Sequence, residues 1–136
     1  GPYTPGGDDP IPGTTYYLVG YINGADYGCE SDYTNMGIYK FADGKLETKF
    51  NTDSYVFLKT EGNANWYMTQ AYCTDTSATF YNTNTGAAEK MFVPGGVEVT
   101  FTLTANGNDT LTLSYTVPVV EEPIVQPTLK LKAPAL

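Results

Sequence analysis

A strict alternation of apolar and polar residues constrains the fold of this chain most. It runs through VEVTFTLTANGNDTLTLSYTV at positions 97–117. Every second residue from Val97 to Leu103 and from Leu111 to Val117 is apolar, and the residues between them are threonine, serine or glutamate. A period of two is typical of β-strands with one buried face. Because ANGND supplies turn residues between the two runs, the segment predicts an antiparallel hairpin.

The rest of the chain also consists of short β-prone runs separated by clusters of turn residues, and it shows no sustained helical periodicity. A second hairpin signal is the Asp-Gly pair in ADGK at positions 42–45. We predict strands over 15–23, 37–42, 45–51, 54–60, 65–73, 78–82, 89–93, 97–105 and 110–117. About nine short antiparallel strands indicate an all-β fold, and we expect a two-sheet, immunoglobulin-like β-sandwich.

Both ends of the chain differ in composition from this middle part. Residues 1–14 are rich in Pro, Gly, Asp and Thr and have little to bury, which predicts a flexible linker or tail. Residues 118–136 contain proline at 118, 123, 127 and 134, which interrupts any central strand. We expect this part to be a Pro-rich linker or extended segment leading to another module, and residues 117–125 to be able to dock on a sheet edge. One β-domain is therefore predicted over 15–117.

Charge and composition exclude several functions. The formal net charge is −8, with seven Lys and no Arg, so nucleic acid and anionic membrane surfaces are poor partners. The chain has no His, which excludes Ser-His-Asp, Cys-His and His-zinc chemistry. Glycoside hydrolysis needs only two carboxylates, but no pair among the fifteen acidic residues stands out. We therefore expect a protein that is not an enzyme.

The location is predicted from the same composition. No run is long and apolar enough to cross a bilayer, so we expect no membrane insertion. No signal peptide opens the chain, and we expect a mature or trimmed segment of an extracellular protein, either secreted or attached to the cell surface.

The single tryptophan lies in the segment EGNANWYMTQAY at positions 61–72. Alternation would place Trp66, Met68, Gln70 and Tyr72 on one face of a strand, and neither face is plainly apolar. A core position for Trp66 is one interpretation, because large aromatic residues dominate cores. We favour display, because Trp66 directly follows a Gly-Asn-Ala-Asn turn and contact residues are often carried at strand ends.

A long turn, ADYGCESDYTNMG at positions 25–37, also indicates function, since loops of this length are uncommon in compact domains. Its acidic residues Asp26, Glu30 and Asp32 could ligate calcium, but their spacing is not that of an EF-hand. A solvated loop is the favoured interpretation, and we expect no metal.

Aromatic faces bordered by hydrogen-bonding groups are what a sugar ring requires. Its C–H faces stack on aromatic rings, and its hydroxyls need amides or one charged donor. The candidate stacking residues are Trp66, Tyr27 and Tyr72, and the candidate hydrogen-bonding residues are Lys59, Gln70 and Asn23.

Two segments carry a resemblance to a known family: LVGYINGADY at 18–27 and YVFLKTEGNANW at 55–66. The chain resembles the starch- and glycogen-binding β-sandwich modules of secreted amylases and of starch adherence proteins from gut anaerobes. Their pattern is Gly-x-x-Asn with an aromatic beyond it, then Tyr-x-Phe with a nearby Lys, then a glycine-containing turn ending in Trp. The resemblance implies that Tyr27, Lys59 and Trp66 cradle a glucan.

The two cysteines, Cys29 and Cys73, have no spacing motif, so one disulfide and two free thiols are both open. The resemblance implies that they flank one site, where a bridge would hold the binding loop in place.

The function that we expect is non-catalytic binding of α-glucan, meaning starch, amylopectin, glycogen or malto-oligosaccharides. The partner would be an α-1,4-glucan chain, with no cofactor, and the domain would act as a monomeric module tethered to others. The alternative is an immunoglobulin-like spacer or protein-interaction domain of an extracellular scaffold, which predicts that Trp66 is buried.

Overall fold

A computed structural model describes residues 13–27, 39–60, 65–83 and 88–119. Within these ranges the chain forms nine β-strands. They are β1 (Tyr16–Ile22), β2 (Ala25–Tyr27), β3 (Lys45–Lys49), β4 (Ser54–Thr60), β5 (Trp66–Met68), β6 (Ser77–Asn82), β7 (Met91–Val93), β8 (Glu98–Gly107) and β9 (Thr110–Thr116).

All nine strands belong to one antiparallel sheet. Its order is β2-β1-β4-β5-β6-β9-β8-β3, and β7 pairs with β4 beside this path. The sheet curls into a half-barrel. The predicted all-β class is therefore confirmed, whereas the two-sheet immunoglobulin-like sandwich is not, because the strands form one continuous sheet. In the described ranges, no helix is long and apolar enough to cross a membrane.

A short segment at 39–42 links the two ends of the curled sheet. Lys40 forms an isolated antiparallel bridge with Tyr17 of β1, and Ala42 forms another with Lys45 at the start of β3. These bridges bring β1, the second strand of the sheet order, near β3, the last one, which is why the sheet can enclose a core.

Three tight turns join neighbouring strands or bridges, and the two central residues of each have positive φ. They are Asn23 and Gly24, Asp43 and Gly44, and Asn108 and Asp109; in the last turn the preceding Gly107 also has positive φ. Two left-handed residues in a row are typical of the type I′ turn, which matches the twist of a hairpin and favours Asn, Asp and Gly. The predicted hairpin signals at Asp-Gly and ANGND are therefore confirmed.

Most predicted strands are found, with differences at three places. The strand predicted at 65–73 is paired only over Trp66–Met68. The described part of the strand predicted at 37–42 contains only isolated bridges. The strand β2 was not predicted, because its residues were assigned to the long turn. The predicted terminal segments lie almost entirely outside the described residues.

The core lies on the inner face of the curled sheet, which we define by Leu18, Leu58 and Phe101. Phe101 contacts Phe50 and Tyr115, with ring centroids 6.4 and 5.8 Å apart. The predicted apolar face of the long hairpin is confirmed in its central part. The residues buried there are Val99, Phe101, Leu103, Leu111, Leu113 and Tyr115, whereas Val97 and Val117 at the ends are exposed.

Candidate functional site

The strand β4 carries apolar residues on both faces. Val56 and Leu58 are fully buried on the inner face. Tyr55, Phe57 and Lys59 alternate with them and lie on the opposite, outer face. A continuous apolar run is typical of a strand that is covered on both sides. On β4 the outer face of the sheet is therefore aromatic, whereas on β8 and β9 it carries threonine and serine.

Lys59 and Trp66 form one unit on this outer face. They are direct partners in the β4–β5 register. The Nζ of Lys59 lies 4.3 Å from the centre of the Trp66 ring, a distance at which a cation is attracted to the aromatic face. The Phe57 ring packs beside the indole, with centroids 5.7 Å apart. Lys59 is fully buried and Trp66 is half-buried.

Burial has an electrostatic consequence for Lys59. Removing an ammonium group from water disfavours its charged form, so burial lowers the pKa of Lys59. The attraction to Trp66 offsets part of this cost, because it requires the cation.

A second group of rings, which we call the tyrosine cluster, consists of Tyr21, Tyr55, Tyr72 and Phe92. Tyr55 is its centre, since Tyr21 of β1 and Phe92 of β7 are its direct partners on the two neighbouring strands. The centroid of the Tyr55 ring lies 6.5 Å from that of Tyr21, 6.1 Å from that of Tyr72 and 6.0 Å from that of Phe92. Tyr21 and Tyr72 are 44% and 51% exposed, so the cluster presents two rings to solvent.

Gly20 allows β1 to approach β4 beside this cluster. Its φ is +133°, and a Cβ atom at this position would lie 2.2 Å from the backbone oxygen of Tyr55. A side chain is excluded both by space and by conformation. The pairing of Tyr21 with Tyr55 therefore depends on a glycine one residue earlier.

Tyr72 has an environment that keeps its hydroxyl neutral. Partial desolvation raises its pKa, and the neighbouring Tyr55 and Asp53 raise it further because they oppose a negative charge. A tyrosine hydroxyl with its ordinary pKa of about 10 is already neutral at physiological pH, and this shift leaves the Tyr72 hydroxyl able to donate a hydrogen bond.

The structure brings some predicted site residues together and separates others. Trp66 and Lys59 are in contact, and Tyr72 belongs to the adjacent tyrosine cluster. Gln70 is exposed in the bend that leads to Tyr72. The backbone of Tyr27 pairs with Gly20, but its side chain lies outside the described part of the chain.

Asn23 has a structural role in its turn. Its Oδ1 accepts a hydrogen bond of 2.7 Å from the backbone N–H of Asn51, and its Nδ2 donates one of 3.4 Å to the hydroxyl of Tyr39. Both ends of the amide therefore have partners within the protein.

Cys73 is half-buried and forms no disulfide with any residue that the structure describes. Its Sγ donates to the backbone carbonyls of Asp75 and Ser77 over 3.7 and 3.9 Å. Cys29 lies outside the described residues, as do Glu30 and Asp32 of the long turn, so the disulfide alternative stays open. The described residues include no group of three or more His, Cys, Asp or Glu arranged to hold a metal ion.

Three members of the tyrosine cluster were missed as candidates: Tyr21, Tyr55 and Phe92. The available signal was the two-sided apolar run SYVFLKT at 54–60, whose outer positions must pack against or present something. The pairing of β7 with β4 is distant in sequence, and no local pattern predicts it.

Comparisons of the chain with protein-family models, curated proteins and solved structures find no match. The resemblance to starch-binding modules therefore rests on the sequence segments alone, and the geometry of the outer face has to be judged by its own chemistry.

Proposed function

We propose that this domain binds α-glucan without catalysis, through the tyrosine cluster and the adjoining Trp66. One observation carries the proposal: the exposed rings of Tyr21 and Tyr72 both pack beside Tyr55 on the outer face of the sheet. Exposed aromatic rings on a sheet form an apolar surface on which the C–H faces of sugars can stack.

The tilt of the rings favours a curved ligand. Tyr21 and Tyr72 are inclined to Tyr55 by 38° and 43°. Neighbouring glucose units of an α-1,4-linked chain present their faces at an angle to one another, whereas a flat ribbon suits coplanar rings. Starch, amylopectin, glycogen and malto-oligosaccharides are therefore the ligands that we propose.

Polar groups beside the rings would select the hydroxyl geometry. The neutral hydroxyl of Tyr72 and the exposed amide of Gln70 lie in one short stretch of chain and can donate to sugar hydroxyls. Lys59 is buried, so in this conformation we assign it to holding the indole of Trp66 and not to contacting sugar.

An open surface with few contacts implies weak binding by one module. We expect a dissociation constant in the micromolar range or weaker, about −8 kcal/mol or less in magnitude. A larger secreted or cell-surface protein could compensate by linking several modules, since a tethered second binding event gains effective concentration.

The test is calorimetric titration of the chain with maltoheptaose, and in parallel with cellohexaose and xylohexaose. We expect saturable heat with the α-1,4 oligosaccharide only, and no reducing sugar released from starch. The emission of Trp66, recorded in the same samples, reports whether the ligand reaches the indole. Equal heats with all three sugars, or none, would contradict the proposal.

A second candidate is a spacer or protein-interaction domain of an extracellular scaffold. It is favoured by the contacts of Trp66, whose ring already packs against Phe57 and Lys59. Exposed tyrosines are also enriched at protein interfaces. This function predicts no response to any of the three sugars and a Trp66 emission that none of them changes.

A further inference from the structure

A cleft lies beside the β8–β9 turn, away from the tyrosine cluster. Its volume is about 280 Å³, and its lining includes Tyr67, Ala105, Asp109 and Leu111. Tyr67 lies on β5 with its side chain on the inner face, opposite to that of Trp66. The cleft is therefore separated by the sheet from the site proposed for glucan.

The walls of the cleft combine apolar surface with one carboxylate. Ala105 is partly exposed in the cleft, whereas Leu111 and Tyr67 are buried at its base, 2% and 3% exposed. The hydroxyl of Tyr67 donates a hydrogen bond of 2.8 Å to Oδ1 of Asp109. This bond holds the carboxylate at the cleft, and a carboxylate has further lone pairs that can accept from a ligand.

The charge of Asp109 also affects the pKa of a second tyrosine, Tyr16. Tyr16 packs edge-on against Tyr67, with centroids 6.4 Å apart. Burial, and then the negative charge of Asp109, raises the pKa of Tyr16 to about 12. The same two causes, with the hydrogen bond to Asp109, raise the pKa of Tyr67. The carboxylate of Asp109 thus places a negative charge at the cleft, in a chain whose formal net charge is −8.

The Tyr16 hydroxyl is also incompletely paired. Tyr16 is only 2% exposed, and its hydroxyl oxygen has no hydrogen-bond partner among the described residues. A buried hydroxyl without a partner is uncommon in native proteins. It adds a second polar group near Asp109, next to the wall of the cleft.

The geometry points to a binding site for a small organic ammonium ion with a short alkyl body. The ammonium group would donate to the exposed carboxylate of Asp109. The alkyl part would lie against Ala105, which is partly exposed in the cleft. Anions would be repelled, and a neutral alcohol of the same shape would lose the charge-assisted hydrogen bond.

The experiment is an NMR titration of the ¹⁵N-labelled 136-residue chain. Butylammonium chloride and 1-butanol are added separately at matched ionic strength, and the backbone amides of Gly107, Asp109 and Leu111 are followed. We expect saturable shifts of these amides with butylammonium, and affinity for butanol weaker by about tenfold or more. Raising the salt concentration should weaken only the binding of the cation.

Two variants locate the interaction. Asp109→Asn removes the charge with little change of shape and should weaken butylammonium binding by about tenfold. Asp43→Asn is the matched control, because Asp43 is an exposed aspartate with positive φ in another hairpin turn, and it should leave the affinity unchanged.

Three results would overturn the proposal: equal affinity for butanol, equal weakening by both variants, or no shift of the cleft amides by butylammonium. If Asp109→Asn disturbs amides throughout the spectrum, the proposal is still tested by comparing the affinities of butylammonium and butanol for the unaltered chain.

Discussion

Two tyrosine-to-phenylalanine changes in the core should alter stability in opposite directions. Tyr16 and Tyr67 pack edge-on against each other, and each replacement removes only a hydroxyl. The Tyr67 hydroxyl donates to Asp109 over 2.8 Å, whereas the Tyr16 hydroxyl has no partner among the described residues. We expect Tyr16→Phe to stabilise the protein and Tyr67→Phe to destabilise it.

The magnitudes follow from the hydrogen bonding of each hydroxyl in the folded protein. A buried, unsatisfied polar group costs about 1–3 kcal/mol, and the small void left by the missing oxygen of Tyr16 offsets part of the gain. We expect a net stabilisation of about 1 kcal/mol for Tyr16→Phe. A hydrogen bond to a charged group contributes about 1.5–3 kcal/mol, and because Asp109 is exposed to water we expect the lower end for Tyr67→Phe.

The assay is urea unfolding at neutral pH, followed by the emission of Trp66 and by far-ultraviolet circular dichroism. A change in midpoint at constant m-value measures the change in the free energy of unfolding. The reasoning would be refuted if Tyr16→Phe lost as much stability as Tyr67→Phe, because the Tyr16 hydroxyl would then have a partner in the folded protein.

Three further predictions concern pH, two glycines and the turn at Asn23. Because burial raises the Tyr16 pKa from 10 to about 12, the unfolded chain loses this proton first. The contribution of Tyr16 to stability should be complete below pH 10 and fall by up to about 3 kcal/mol towards pH 12. Because the pKa of Tyr67 is raised as well, Tyr16→Phe should still lose stability over this range but less than the unaltered chain, measured by urea unfolding at each pH. Gly20→Ala should cost more than about 3 kcal/mol by the same assay, whereas Gly24→Ala, which has open space around it, should cost only about 1 kcal/mol. Asn23→Ala should lower the melting temperature more than Asn23→Gly, since both lose the bond to Asn51 but only alanine is strained at positive φ.

The local rules of β-structure were enough to predict much of the sheet. Alternation identified both strands of the β8–β9 hairpin and the buried positions in their centre. The Asp-Gly signal located the turn at 43–44, where Ala42 and Lys45 exchange two backbone hydrogen bonds of 2.9 and 3.0 Å. The same turn rule applied to Asn23-Gly24 would also have predicted β2, because Ile22 and Ala25 are paired across this dipeptide.

The parts that could not be predicted depend on pairing between distant residues. The strand β5 ends at Met68 because the chain bends. Thr69 then pairs with Glu89 and does not continue the pairing of β5 with β4 and β6. Trp66 had two simple interpretations, core or display. The structure gives it an intermediate position, since Tyr67 occupies the inner face and Trp66 is half-buried on the outer face.

The candidate site was predicted only in part for the same reason. The contact of Lys59 with Trp66 crosses a hairpin, so the two residues are near in sequence and were named together. The tyrosine cluster joins β1, β4, β7 and the bend at Tyr72, and its members meet only after the sheet has formed.

The most direct test of the account is the affinity for maltoheptaose of the unaltered chain, Tyr72→Phe and Tyr72→Ala, measured by calorimetry. Val117→Ala, an exposed apolar position at the end of β9, is the control for a general surface effect. We predict that Val117→Ala binds as well as the unaltered chain, that Tyr72→Phe binds about twofold to threefold more weakly because it loses the hydroxyl but keeps the ring, and that Tyr72→Ala binds about tenfold more weakly because the stacking ring is lost. Undiminished binding by Tyr72→Ala, or no binding by the unaltered chain, would contradict the claim that the tyrosine cluster is a glucan site.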